Sequence, residues 1–188
     1  MERVLYVSRP RAEDPLLDHL RTAYGWQPAL CHTAGQALER AGAAEWGLIV
    51  INAPLQEGAG EQVSIQLARQ TTAAILLLLP PAAAEEMVES AEGQGVFVLR
   101  RPVGRGALER AIHSACVARN RLLPLRQEKD KLAGQLRTVR LVSRAKLVLM
   151  QDLNMTEDQA HKYIEQQAMI RRLPKERIAQ TILRTYEH

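Results

Sequence analysis

Arg171, Arg172, Lys175 and Arg177 place four cations within seven residues, and Arg140, Arg144 and Lys162 extend the patch upstream. Guanidinium and ammonium groups at this density suit a polyanion, because they neutralise phosphates and hydrogen-bond to their oxygens. Each one alone also reads as a solvated charge near a helix C-terminus; as a cluster they point to a polyanion such as nucleic acid. Ser143, Gln166 and Gln167 add hydroxyl and amide groups that can read exposed loop bases. Lys146 falls inside an apolar helical stripe with Ala145, Leu149 and Leu153, where lysine is unusual. It either presents its ammonium to phosphate or base at the edge of the core, or snorkels past that edge. The remaining polar residues form no such constellation. His19, His32, His113, His161 and His188 are dispersed without metal-ligand spacing, and Cys31 and Cys116 are too few for a metal motif or disulfide framework. The GAG at 58–60 and GQG at 93–95 read as a loop and a turn, not a phosphate cradle. No metal, no cofactor and no enzyme activity are expected.

The charge balance supports a division of labour. The 188 residues carry 25 Lys+Arg and 21 Asp+Glu, a net of +4 that decides nothing as a whole. Residues 1–118 hold 10 basic and 13 acidic residues, and the remaining 70 hold 15 and 8. The C-terminal part therefore faces the anion. With only 2 Trp, 4 Tyr and 1 Phe, a sheet that stacks bases on paired aromatics has little to build with. No apolar run is long enough to cross a membrane and the N-terminus MERVLYVSRP lacks a signal-peptide pattern. A reducing cytoplasm is the expected location.

The elements that must position these residues fall into three parts, 1–118, 119–140 and 141–188. In the first, VLYV at 4–7, PALC at 28–31, LIVI at 48–51, ILLLL at 75–79 and VFVL at 96–99 are short apolar runs of strand length. Helix-forming segments of 14–24, 35–43, 61–70, 83–92 and 105–119 separate and follow them. Such alternation predicts an α/β fold, a doubly wound five-stranded parallel sheet of flavodoxin-like type. Ligands of such sheets sit at the carboxyl ends of the strands, so the deciding residues are Ser8, Arg9, Asn52, Leu79 with Pro80, and Arg101.

Order, lengths and landmarks of 1–118 resemble the receiver domain of two-component response regulators. The likeness rests on Asn52 ending the third run, Gly60 eight residues on, and Arg101-Pro102 after the fifth. In that family an acidic pair after the first strand binds Mg²⁺, and an Asp ending the third accepts phosphate. Here Ser8-Arg9 and Asn52 stand in those places, Leu79-Pro80 replaces the usual hydroxyl, and Arg101 replaces the usual lysine. An amide cannot form an acyl phosphate, and no Asp or Glu lies between Val4 and Pro10 or between Gly47 and Gln56. Ser8, Arg9, Asn52, Leu79 and Arg101 therefore mark a degenerate phosphoacceptor pocket, with Arg9 and Arg101 supplying fixed positive charge.

From Arg119 the sequence becomes charged and helix-favouring. With Leu122 at heptad position a, the a column reads Leu122, Lys129, Leu136, Ser143, Met150 and the d column Leu125, Leu132, Val139, Lys146, Leu153. Seven of the ten are apolar, and the pattern weakens after Val139. This predicts a coiled-coil homodimer through Leu122, Leu125, Leu132, Leu136 and Val139, or a helix packed on its own domain. Pro124 is expected to kink the helix or start a new one.

Three helices follow from residue 137 on. The first stops near Leu153-Asn154, Thr156 with Gln159 forms a capping box for the second, and Pro174 starts the third. Ala145, Ala160, Ala168 and Ala179 permit close crossings, while Leu149, Met150, Tyr163, Ile164, Ile178 and Ile182 supply the core. Arg144-Ala145-Lys146, Leu149-Met150, Thr156-Glu157, Ala160, Ala168-Met169 and Ile178-Ala179 resemble the ANTAR domain, the RNA-binding module of antitermination regulators in amidase and nitrate assimilation. The likeness spans 137–183. It implies a dimer that binds paired leader-mRNA hairpins so that polymerase reads through a terminator. With phosphorylation unavailable, it also implies control by a ligand-sensing negative regulator protein, like the amide or nitrate sensors with their periplasmic-binding-protein-like fold. A DNA-binding helix-turn-helix output and a pure protein-interaction adaptor remain open alternatives.

Overall fold

The computed structural model describes residues 3–186. Its sheet has the order β2-β1-β3-β4-β5, with every neighbouring pair parallel. β1 (Val4–Ser8), β3 (Leu48–Asn52) and β4 (Ala74–Leu79) are buried at every position, as strands covered on both faces must be. β2 (Ala29–Cys31) and β5 (Phe97–Arg100) form the edges. On one face, Val7, Ile49, Ile51 and Leu77 meet Ala37, Val63, Leu67 and Ala91. Those four come from α2 (Ala34–Ala43), α3 (Glu61–Gln70) and α4 (Glu85–Glu92). On the other, Tyr6, Val50, Leu76 and Leu78 meet Leu17, Leu20, Leu108 and Ile112, from α1 (Pro15–Tyr24) and α5 (Arg105–Asp152). The strand order reverses between β1 and β3, where Ser8 and Asn52 lie side by side in register. That switch point is where a crevice forms in a sheet of this kind.

Gly60 shows how tightly the α2–α3–α4 face of the sheet is packed. It precedes α3 with φ of 84°, a conformation that favours glycine. A Cβ there would lie 3.3 Å from both the Ala53 Cβ and the Ile51 Cγ2. Gly60→Ala is expected to destabilise the N-terminal unit by about 1–3 kcal/mol through left-handed strain and crowding, read as a lower urea midpoint with unchanged slope.

The main departure from expectation lies in α5. The helix expected to kink or start anew at Pro124 is a single helix of 48 residues with Pro124 inside it, so no new helix starts there. Proline deletes one backbone donor and crowds the carbonyl four residues earlier, at a cost of about 3 kcal/mol. The helix-favouring sequence LRQEKDKLAGQLR that follows carries the helix on. The chain divides into two compact units, Met1–Leu123 and Pro124–His188, and α5 contributes to both.

In the second unit the last turns of α5 pack with α6 (Glu157–Arg171) and α7 (Lys175–Tyr186). Ala145, Leu149, Ala160, Ile164, Ile178, Ala179, Ile182 and Leu183 form its core, and the expected Ala168, Met150 and Tyr163 pack against it from partly buried positions. Asn154 adopts φ of 51° after α5, and Thr156 and Gln159 form the capping box. α6 ends in a Schellman closure: Leu173 N–H donates to the Ala168 carbonyl at 3.0 Å and Arg172 N–H to that of Met169 at 3.3 Å. Arg172 therefore holds the left-handed position that normally goes to glycine.

Candidate functional site

The helical unit carries most of its cations exposed on a small core. Arg140, Ser143 and Arg144 are exposed on α5, and Lys162 and Gln166 on α6. Arg171, Arg172, Lys175 and Arg177 are exposed across the α6–α7 turn. Several are steadied by neighbours. Arg171 Nε donates to Gln167 Oε1 at 3.1 Å, and Lys175 Nζ to Glu165 Oε1 at 2.6 Å. The Lys175 ammonium, by hydrogen bond and charge, holds the Glu165 carboxyl below its ordinary range. Lys146 is the most enclosed of the set: it donates to Glu157 Oε1 at 2.6 Å with its side chain 19% exposed. The hydrogen bond, then the charge, of Lys146 likewise lowers the Glu157 carboxyl. Lys146 therefore ties α5 to the first turn of α6.

One feature of this surface escaped sequence reasoning. Met169 and Ile170 are 76% and 73% exposed, and Leu173 follows them. Lys162, Gln166, Met169 and Ile170 recur at helical spacing, so cationic, amide and apolar groups share one face of α6. The signal was the unfilled position of Met169 and Ile170 outside the alanine and isoleucine stripe that packs.

The degenerate pocket assembles differently from its sequence outline. Asn52 and Arg101 line one cleft at the carboxyl end of the sheet. Arg9 points elsewhere, its Nε and Nη2 donating to the Leu55 carbonyl at 3.0 and 2.8 Å, which holds the β3–α3 loop. Ser8 is buried with its carbonyl 3.1 Å from His32 Nδ1, and Leu79 belongs to the core. The expectation of a carboxylate-free pocket is corrected by Asp14. Residues 9–14 loop back so that Asp14, the N-cap of α1, accepts from Tyr6 Oη at 2.8 Å and from Leu17 N–H at 3.3 Å. Asn52 Nδ2 donates to Tyr6 Oη at 2.9 Å. Asp14 lies six residues beyond the end of β1, outside the stretch directly after the strand.

This trio does not fit the Mg²⁺ that a receiver fold implies. Mg²⁺ is held in near-octahedral oxygen geometry, usually through one or two carboxylates. The cleft offers one carboxylate already bonded to a phenol and a backbone amide, and among the described residues no group of three or more His, Cys, Asp or Glu could hold a metal ion. Burial, then the Asp14 carboxylate, pushes the Tyr6 phenol far above its ordinary 10.0. The folded state thus keeps a proton that the unfolded chain releases, so stability is intact below pH 10 and falls above it. Tyr6→Phe is expected to reduce that alkaline slope by up to about 1.4 kcal/mol per pH unit, measured by urea unfolding from pH 9 to 11.

The fold and the helical module define a class: a receiver-like α/β domain followed by a helical unit. Residues 130–183 match the family model of the ANTAR domain. The transcriptional regulatory protein PdtaR of Mycobacterium tuberculosis, in strains CDC 1551 / Oshkosh and ATCC 25618 / H37Rv, is 35% identical over 101 residues. That match covers 53% of this chain and 49% of PdtaR, so the chain spans about half the length of the curated relatives it matches. Among solved structures, the response regulator StyR has a TM-score of 0.57 at 16% identity, covering 99% of this chain and 100% of its own. The CheY-like receiver domain from Methanospirillum hungatei JF-1 has 0.55 at 17%, covering 64% and 98%. An adenylate cyclase from Rhodopirellula baltica has 0.55 at 19%, covering 71% and 97%. At such identities these likenesses show the fold alone. Residues 130–183 thus carry an ANTAR domain, and the N-terminal unit has the receiver fold. Among the described residues, no helix is long and apolar enough to cross a membrane.

Proposed function

We propose that this chain is a cytoplasmic RNA-binding transcription regulator, not an enzyme, that binds paired leader-mRNA hairpins through residues 141–188 and promotes read-through. The observation that carries the reading is the exposed face of α6 and the α6–α7 turn. There Lys162, Arg172 and Arg177 stand near Met169 and Ile170 on a module that matches the ANTAR domain. Cations meet the phosphates, and the exposed apolar and amide groups meet unstacked loop bases. Arg140, Ser143, Arg144, Arg171, Lys175 and Gln166 complete the contact surface, with Lys146 at its edge.

Two hairpins call for two modules. Leu122, Leu125, Leu132, Leu136 and Val139 are all more than half exposed along α5, and a second copy of the chain is the occupant with matching heptads. Beyond Val139 the heptad fails because Ala145 and Leu149 turn into the three-helix core. Asn52 cannot carry an acyl phosphate. Control therefore passes to a ligand-sensing protein that sequesters the regulator. Single-round transcription through a two-hairpin leader and terminator tests the reading. The expected result is read-through that rises with this protein and is unchanged by acetyl phosphate. Unchanged termination, or label on this chain from acetyl phosphate, overturns it.

A further inference from the structure

The cleft between α1 and α5 at the carboxyl end of the sheet has chemistry that RNA binding does not use. Asn52 is 3% exposed and lines it, yet its Oδ1 has no hydrogen-bond partner among the described residues. The orientation of that amide follows from its neighbours. Tyr6 gives its single O–H to Asp14, so its oxygen must accept from Asn52 Nδ2, which leaves Oδ1 to the cleft. Arg101 also lines the cleft. One of its nitrogens is fixed on the Ala53 carbonyl while Nε has no partner among the described residues. Arg11 and Arg105 line the same space against the single carboxylate of Asp14. Its walls include Leu16, Leu78, Val103 and Leu108, and its volume is about 410 Å³, within the range of about 300–1,000 Å³ typical of small-molecule sites.

We propose that this cleft binds a small organic acid that carries its own hydroxyl or amino group. The carboxylate faces the arginines, the O–H or N–H donates to Asn52 Oδ1, and an apolar or aromatic body lies against the leucine and valine wall. Inorganic phosphate satisfies the arginines but neither the apolar wall nor, as a dianion, much of the demand for a donor. The proposal stands apart from the RNA-binding reading, because every residue it uses lies in the N-terminal unit.

The test is a titration of the isotope-labelled full chain with 4-hydroxybenzoate and 3-phenyllactate, read by NMR. Benzoate lacks the donor, 4-hydroxybenzyl alcohol lacks the anion, and phosphate lacks the body. The expected result is saturating shifts at the Asn52 side-chain amide and the Leu78, Val103 and Leu108 methyls, with a Kd of about 1 mM or tighter. Each control should bind about tenfold more weakly or worse. Arg11→Gln with Arg105→Gln, both at exposed positions, should weaken acid binding about tenfold with unchanged unfolding and unchanged RNA affinity. No saturating shift with either acid, shifts at other residues, an unaffected double variant, or phosphate binding as tightly as the acids would each overturn the proposal. Loss of RNA binding with the cleft titration intact would instead count against the function proposed above.

Discussion

Arg172→Gly combined with Arg171→Gln and Arg177→Gln is expected to weaken binding to a two-hairpin RNA by about 50-fold at physiological salt, without loss of stability. Each lost phosphate contact removes about 0.7 from the slope of log affinity against log salt, so three remove about 2. Extrapolated from the 1 M reference to physiological salt, that slope change gives the stated loss. Stability moves the other way. Arg172 sits in the left-handed closure of α6 with φ of 52° and ψ of 40°, where an L side chain is strained. Glycine there relieves about 1 kcal/mol. Arg171 gives up a hydrogen bond to Gln167 that is exposed, and such surface contacts contribute little. Filter binding across salt, beside urea unfolding, checks both halves. A variant that loses affinity only in proportion to lost stability would show that the arginines act through the fold.

The second large effect concerns α5. If α5 pairs with a second copy as proposed, Leu132→Glu with Leu136→Glu is expected to leave the chain monomeric and to lower affinity for the two-hairpin RNA by about 100-fold, to the level of one hairpin. Both leucines are more than half exposed, so a single chain loses little when they become charged, whereas a packed seam must desolvate the carboxylates. The affinity loss follows from bivalence: with both modules held together, the second hairpin is bound at high effective concentration. Sedimentation equilibrium and hairpin titrations read the two consequences separately. A monomeric parent chain, or variants that remain dimeric, would overturn the proposed α5 pairing.

Much of this architecture is legible in the sequence. LIVI and ILLLL are continuous apolar runs, which only strands buried on both faces require, and they became β3 and β4 at the centre of the sheet. Thr156 and Gln159 announced α6 because a capping box is local chemistry. Long-range consequences of loop length were not legible. Asp14 is far from Asn52 in sequence, and only the loop of residues 9–14 brings the two beneath one cleft. Pro124 starts no new helix because the helix-favouring sequence beyond it carries α5 through. Lys146 was ambiguous for a physical reason: its fate depended on whether another helix offered a carboxylate, and Glu157 does. The exposed Met169 and Ile170 could be recognised only once the buried stripe of α6 was known.

The charge of +4 over the whole chain conceals the property on which the account turns: acidic residues outnumber basic ones in the sheet domain, and the helical arm holds the excess of Lys and Arg. The most direct measurement is the affinity of the full chain for a two-hairpin RNA and for duplex DNA of equal length, titrated from low to high salt. The account predicts that the RNA preference persists as salt rises, because loop bases contribute what screening cannot remove, and that Arg172→Gly lowers RNA affinity with the fold intact. Equal binding to RNA and DNA at every salt concentration, or tighter binding to the duplex, would contradict it.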